Sequence, residues 1–385
     1  MNHNLVRIYL IVLVFSAAII FPLVNSKVHL LNDIESFENR AMKREPDFDI
    51  NHLDPFPVKY DTFYTDNFDL RNRYIRYFNI YKVLAFRKSP IRNIVIGGNS
   101  WLYLLGDEMD SYMGKNRLTA AELESIGKEL NYRKNYLEEK GIKFYFMVVP
   151  CKASIHSEHI GYEYFRMHED TWGEQLINYL DKNSLVNSIN VYDSLRKFKG
   201  DENLYFKLDN HWNDLGAFYT ANEVFKHMRA EFPSIELLSV NDFNKIPPNN
   251  PKGNLDKMLG NLGVFNESYI ELSPKNGYKA TEGAKANYPP THGFVYPWDF
   301  EKVREIKDSK KPKLLIISDS FGGSIFPFLA ENFSKSVKIF DSWQYKLNEE
   351  IVDQEKPNVV LLMINEPILR ELLKFQSRPN ANKIQ

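Results

Sequence analysis

Three short stretches of this sequence combine residue types that could do nucleophilic chemistry: Ser320 in "KLLIISDSFGGS", Asp209 and His211 in "FKLDNHW", and Asn365 at the end of "NVVLLMIN". A serine hydroxyl is a weak nucleophile until a base takes its proton, and that base is most often a histidine oriented by a carboxylate. Asp209 and His211 are two residues apart, so in an extended segment they would face the same side. Ser320 falls where an apolar run breaks at small polar residues and resumes with helical spacing. At a strand-to-helix turn its hydroxyl would stand beside the free N–H groups of the next helix, where the helix dipole favours negative charge. Such a serine could be nucleophile and part of its own oxyanion hole. The side-chain amide of Asn365, at a strand end, could donate to the same developing charge. Each place also has a plain structural alternative. Ser318 and Ser320 could cap a helix, Asp209 or Asp214 could cap the helix that follows with Trp212 as a core anchor, and Asn365 could form a turn before Glu366-Pro367.

These residues need elements to hold them, and from about residue 91 the pattern alternates strand and helix. "TAAELESIGKELNYRKNYLEEKG" opens with Thr119 and Glu122 at capping-box spacing, keeps Leu123, Ile126, Leu130 and Leu137 on one helical face, and stops at Gly141. "IKFYFMVVP" predicts a buried strand. A helix near Trp172–Leu180, a short strand near Val191, "NLYFK" at 203–207 and a helix over 214–232 continue the series. Then come "PKLLIIS", a helix after Gly323, "SVKIF", a helix near 347–354 and "NVVLLMI". This alternation predicts an α/β fold: a three-layer α/β/α sandwich on a mostly parallel sheet, with its site at the carboxyl ends of the strands. Residues 234–300, rich in Pro, Asn and Gly, read as a long irregular insertion in a domain spanning 91–385.

The amino-terminal part differs. Ile8 to Val24 is an apolar run without charge, flanked by Arg7 and Lys27, and marks residues 1–26 as a secretory signal or a retained membrane anchor. The small-residue site Val24-Asn25-Ser26 is poor for cleavage, which favours the anchor. The basic flank before the run places the remaining chain outside the cytoplasm. Residues 27–90, aromatic and charged with little periodicity, read as a stalk or collar.

Across the chain, 49 Lys and Arg balance 50 Asp and Glu, so no overall field recruits nucleic acid. No zinc-type Cys and His spacing, GxxxxGK or GxGxxG occurs, and no metal or cofactor is expected. His156, His159 and His168 read as loop histidines, and the lone Cys151 cannot form an internal disulfide. Trp101, Tyr103, Trp212, Trp298 and Trp343 could floor a sugar site, though core packing is the default for such residues.

The segment "SDSFGGS" resembles the GDS block of SGNH hydrolases, and "VVLLMINEP" resembles their later block with its oxyanion Asn. "LDNHW" resembles the Asp-x-His-Trp motif of the SGNH-like proteins of alginate O-acetylation, in which that motif precedes the serine block in a circularly permuted order. "GGNSWLYL" and "KGNLDKMLG" resemble two further segments of that family, over roughly residues 91–370. The resemblance implies a permuted SGNH hydrolase-like fold and an extracytoplasmic enzyme that acetylates a surface or exported polysaccharide through an acetyl-serine, with a membrane-bound O-acyltransferase as partner. It makes Ser320 the nucleophile, His211 the general acid/base, Asp209 its orienter and Asn365 an oxyanion donor. Ser318 replaces the block's first Gly, no Gly follows "SVKIFDSW", Asn254 replaces an acidic residue, and Glu366-Pro367 stands where Glu-Arg is common. A carbohydrate acetylesterase of the same fold, and a noncatalytic membrane-tethered binding or assembly protein, are the competing readings.

Overall fold

A computed structural model describes residues 3–377 apart from 37–40, 52, 201, 248–252, 291, 293, 295, 342–344 and 375. Trp343 lies outside the described residues. The chain divides into two units, residues 1–91 with 256–265, and residues 92–255 with 266–385.

In the first unit the amino-terminal helix His3–Val28 contains a 24-residue stretch, Leu5–Val28, long and apolar enough to cross a membrane. The aromatic region after it, which has little periodicity in the sequence, holds two helices, Pro55–Asn67 and Arg71–Phe86. Pro55 opens the first of these at the position where a missing N–H costs nothing. Leu70 and Arg87, both left-handed, bound the second.

The second unit is built on a seven-stranded sheet. Its strands, in chain order after the antiparallel pair β1 (Ile94–Ile96) and β2 (Leu102–Leu104), are β3 (Lys143–Val149) and β4 (Asn187–Ile189). A second small antiparallel pair, β5 (Phe243–Ile246) with β6 (Glu271–Pro274), follows, and then β7 (Thr281–Glu282), β8 (Glu301–Glu305), β9 (Lys313–Ser318), β10 (Lys335–Phe340) and β11 (Val359–Asn365). The order across the main sheet is β4-β3-β11-β9-β10-β8-β7. The five strands from β4 to β10 are parallel, and β8 and β7 add an antiparallel edge. From β9 the chain moves to β10 on one side and then returns to β11 on the other. Ser320 therefore follows the strand at which the winding reverses, where open α/β sheets place their crevice.

The runs "FYFMVV" and "VVLLMI" lack alternation because helices cover both faces of the sheet. Met147, Leu314, Ile316 and Leu361 pack on one side with the helices Asp214–Met228 and Gly322–Ala330. Phe146, Val148, Leu315, Ile317 and Leu362 pack on the other with Ala120–Glu139, Trp172–Lys182 and Glu349–Glu355. Thr119 and Glu122 form the expected capping box, and Gly141, at a φ of +73°, ends that helix.

The sequence expectation fails locally where side chains replace a ladder. "NLYFK" contributes only the bridge Tyr205–Trp212, because the N–H groups of Lys207 and Leu208 donate to the Glu267 carboxylate. The strand expected near Val191 is β4, slightly earlier. Asn190 Oδ1 accepts the Tyr192 N–H and turns the chain into the helix Tyr192–Phe198. The insertion at 234–300 is less irregular than its composition suggests, since it carries β5, β6, β7, the helix Asn254–Leu259 and the 3-10 turn Pro297–Asp299.

The two glycines after Ser320 differ in role. A Cβ on Gly322 would sit 2.0 Å from Ser318 Oγ, whereas a Cβ on Gly323 meets nothing within 4 Å. Gly322→Ala is expected to destabilise by about 1–3 kcal/mol through overpacking, and Gly323→Ala to be neutral or to stabilise by up to about 1 kcal/mol. Thermal unfolding of the two variants checks this, and equal midpoints would contradict the assigned packing.

Candidate active site

Ser320 is exposed at the turn between β9 and the helix Gly322–Ala330. Neither Ser318 nor Ser320 caps that helix. Ser318 Oγ is buried without a hydrogen-bond partner among the described residues, and the turn is held by Asp319, whose Oδ1 accepts the Phe321 N–H at 2.9 Å. The other Asp319 oxygen accepts the Tyr345 hydroxyl and the Asn365 N–H, at 2.9 and 2.8 Å. Burial raises the Asp319 carboxyl despite these donors, which lower it.

Freed from capping, Ser320 Oγ lies 2.7 Å from His211 Nε2, and His211 Nδ1 lies 2.6 Å from Asp209 Oδ1. A carboxylate only accepts, so Nδ1 carries the proton toward Asp209 and Nε2 is left to accept from the serine hydroxyl. Asp209 is further loaded with donors: His211 N–H on Oδ1 at 3.1 Å and Asn254 N–H on Oδ2 at 2.8 Å. Burial alone would raise this carboxyl. The hydrogen bond and charge of His211, with the two N–H groups, outweigh it and hold the group at about 2. Asp209 is therefore ionised throughout the neutral range, and the stabilisation it brings is complete above about pH 4 and lost as pH falls toward 2.

The loop carrying this pair is a tight turn, where the sequence suggested an extended segment; Phe206 N–H donates to His211 O at 3.2 Å across it. Trp212 is the core anchor, fully buried, and its Nε1 donates to Phe321 O at 3.2 Å while its ring meets Phe321 edge-on at 5.2 Å. Asn213 caps the next helix through the N–H groups of Leu215 and Gly216, which leaves Asp209 for His211. Beneath the loop Lys152 is buried, and its ammonium donates to the carbonyls of Phe206, Lys207 and Asp209 at 3.2, 3.1 and 2.6 Å. It also lies 5.1 Å from the centre of the Tyr103 ring and 5.7 Å from that of Trp101. Burial lowers this ammonium and raises its buried neighbour Glu108, each opposed by the other's charge.

Ser320 and His211 open into a cleft of about 440 Å³ that is also lined by Asn254, Tyr296, Trp298, Asp299 and Phe340. Asn365 is not among the lining residues. Its N–H is held by Asp319, and its Oδ1 is buried without a partner among the described residues. Glu366, beside it, is a buried pin whose oxygens accept from Ser111 Oγ, Gly173 N–H, Cys151 N–H and Ser154 Oγ. His156 is a loop histidine, between the helix Lys152–Ile155 and the 3-10 turn Ser157–His159, but not a surface one. It is buried, accepts the Leu204 N–H on Nε2 and packs 4.6 Å from Trp101, while His159 stacks on the same indole and His168 is exposed. Sequence reasoning passed over Lys152, because a single buried charge leaves no spacing to read, and met Glu366 only beside a departure from the resembled family, at Pro367. Asn254 was recognised only as a departure from a resembled segment.

Replacing Lys152 by Met keeps the stem and strips three carbonyls of their donor, at about 1–3 kcal/mol for each group left unsatisfied. The unfolding midpoint should fall, and turnover of an artificial acetyl ester should drop at least about tenfold as the His211 loop loosens. Wild-type values for both would show that the loop does not depend on this ammonium.

With this geometry established, comparison with known proteins places the chain. The family model described as SGNH hydrolase-like domain, acetyltransferase AlgX, matches residues 94–286. Among curated proteins, a probable alginate O-acetylase AlgJ of Pseudomonas aeruginosa is 28% identical over 149 residues, 38% of this chain and 35% of the relative. The match thus spans about a third of that relative's length. Among solved structures, Bacillus cereus PatB1 with a sulfonyl adduct aligns over 72% of this chain and 97% of its own, with a TM-score of 0.53 and 19% identity, a likeness of fold. The order of the serine and histidine segments, the parallel sheet with helices on either side and the matched span agree: the chain belongs to the SGNH hydrolase-like, AlgX-type acetyltransferase domain family.

Proposed function

We propose that the protein is a serine-dependent O-acetyltransferase that acts outside the cytoplasm on a surface or exported polysaccharide. The observation that carries this reading is the hydrogen-bonded chain Ser320–His211–Asp209, with contacts of 2.7 and 2.6 Å at the mouth of an open cleft. Membership in an acetyltransferase family, and the O-acetylase name of the Pseudomonas aeruginosa relative, support the reaction type. The apolar helix Leu5–Val28 supports tethering at a membrane, beside a membrane-bound O-acyltransferase that would deliver acetyl groups.

In the first half-reaction His211 Nε2 takes the Ser320 proton as Oγ attacks the acetyl carbonyl. The tetrahedral oxygen is met by the Ser320 N–H, which has no hydrogen-bond acceptor among the described residues. Collapse expels the donor's leaving group, which receives the proton from His211. In the second half a sugar hydroxyl gives its proton to the same nitrogen while attacking acetyl-Ser320, and the regenerated serine recovers that proton. Asp209 stays ionised throughout and stabilises the imidazolium. Asn365 is the candidate side-chain donor to the tetrahedral oxygen, but it stands off the cleft lining.

Ser320→Ala and His211→Ala should abolish acetyl transfer from 4-nitrophenyl acetate to a glycan acceptor, and Asp209→Asn should lower it about 10³–10⁴-fold, in protein that remains folded. Asn365→Ala should cost less than any of the three, by about tenfold or under. Quantifying acetylated glycan against free acetate separates transfer from hydrolysis. Turnover that survives in the serine variant removes the proposal, and acetate as the sole product with acceptor present converts it to an esterase.

A further inference from the structure

Trp298 is 71% exposed, which rules out the core role that tryptophan usually has. It sits at the centre of the 3-10 turn Pro297–Asp299 and lines the same cleft as Ser320. Tyr296, half exposed, meets it edge-on at 5.7 Å and 81°. The turn is braced from behind. Buried Phe300 accepts the Phe340 N–H on its carbonyl at 2.8 Å, and the Phe294 ring contacts Phe300, Phe340 and Tyr296 at 5.5, 5.2 and 6.2 Å. An exposed indole and phenol side by side in the lining of the Ser320 cleft are apolar faces available to a ligand. The adjacent Asp299 carboxylate also lines the cleft, paired at 2.5 Å with Lys302. The other nearby cation, Lys338, is buried with its ammonium 5.2 Å from the centre of the Phe340 ring, and is not part of the lining.

We infer that Trp298, Tyr296 and Asp299 form the acceptor subsite, and that it takes a pyranose ring of a neutral glycan. The C–H face of the ring stacks on the indole. Vicinal ring hydroxyls donate to the Asp299 oxygens. The stacking places a free hydroxyl toward Ser320 across the cleft. The lining sets the class: Asp299 accepts from hydroxyls, and no Lys or Arg among the lining residues offers a partner for the carboxylate of a uronic acid, so the acceptor differs from the alginate named for the Pseudomonas relative. This inference names the acceptor of the site proposed above and rests on that reading for its purpose, while binding itself requires no turnover.

The test therefore uses the full-length chain carrying Ser320→Ala in detergent, titrated by tryptophan fluorescence and calorimetry with a panel of neutral oligosaccharides (cello-, malto- and chito-oligomers) and with oligoguluronate and oligomannuronate. At least one neutral oligomer should bind more tightly than either uronate. Adding Trp298→Ala should weaken it roughly tenfold or more, with Trp298→Phe recovering most of the loss, and Asp299→Asn should narrow the preference over uronates. Failure of every neutral oligomer to bind, tighter binding of a uronate, or affinities indifferent to Trp298 would each overturn the inference. In parallel, wild-type protein exposed to 4-nitrophenyl acetate is examined for acetyl on Ser320. Trp298-dependent binding without acetyl-serine leaves the subsite standing and rejects the transferase mechanism, whereas acetyl-serine with Trp298-independent binding does the reverse.

Discussion

An imidazole and a hydroxyl separated by 109 residues must be held 2.7 Å apart, and almost every unusual residue of the second unit bears on that distance. The segment with the hydroxyl is fixed by the sheet: β9 is hydrogen-bonded on both sides, by β10 and β11, and ends where the chain reverses its winding. The segment with the imidazole is a loop, with no ladder to fix it. It is docked through Trp212, whose indole N–H and ring both engage Phe321, the residue next to the serine. A loop positioned by its own target needs little other registration, since a shift that separates His211 from Ser320 also breaks a buried indole hydrogen bond, at about 1–3 kcal/mol.

Buried charge completes the frame. Lys152 holds three carbonyls of the His211 loop, and Asp319 inside the serine turn and Glu366 after β11 bind three and four groups from separate segments, while half-buried Glu267 takes two N–H groups at the loop's amino-terminal side. Such groups are costly to bury and strongly destabilising to leave half-paired, so they tolerate one arrangement of the loops around them. Burial opposes the ionised state of Asp319 and Lys152, while at Asp209 the surrounding donors win. The carboxylate beside the imidazole thus keeps its charge through three donors, two of them from His211.

How much of this was legible in the sequence follows the range of the interactions. The three-layer sheet could be read because buried parallel strands and capped helices are written locally, in "FYFMVV", "VVLLMI" and the Thr119–Glu122 box. Ser320, His211 and Asp209 could be nominated because each falls near a strand end with the right chemistry, and the structure brings all three together. Asn365 could be nominated on the same ground and is left off the cleft lining, because its N–H is tied to Asp319, a contact no local pattern announces. Lys152 was invisible for the same reason. His156 lies in a loop as read, but a lone histidine gives no sign that Trp101 and Leu204 will enclose it. Trp298 was one of five aromatics that could floor a sugar site with core packing as the default, and nothing local separated it from the others, because its exposure is a property of the turn around it.

The central claim is that Ser320 is the residue that carries the acyl group. Incubating the folded protein with a fluorophosphonate probe, digesting it and mapping the adduct by peptide mass spectrometry tests this directly. The account predicts a single labelled peptide containing Ser320, with labelling lost when His211 is replaced by alanine. Label on another residue, or undiminished labelling of Ser320 without His211, would contradict it.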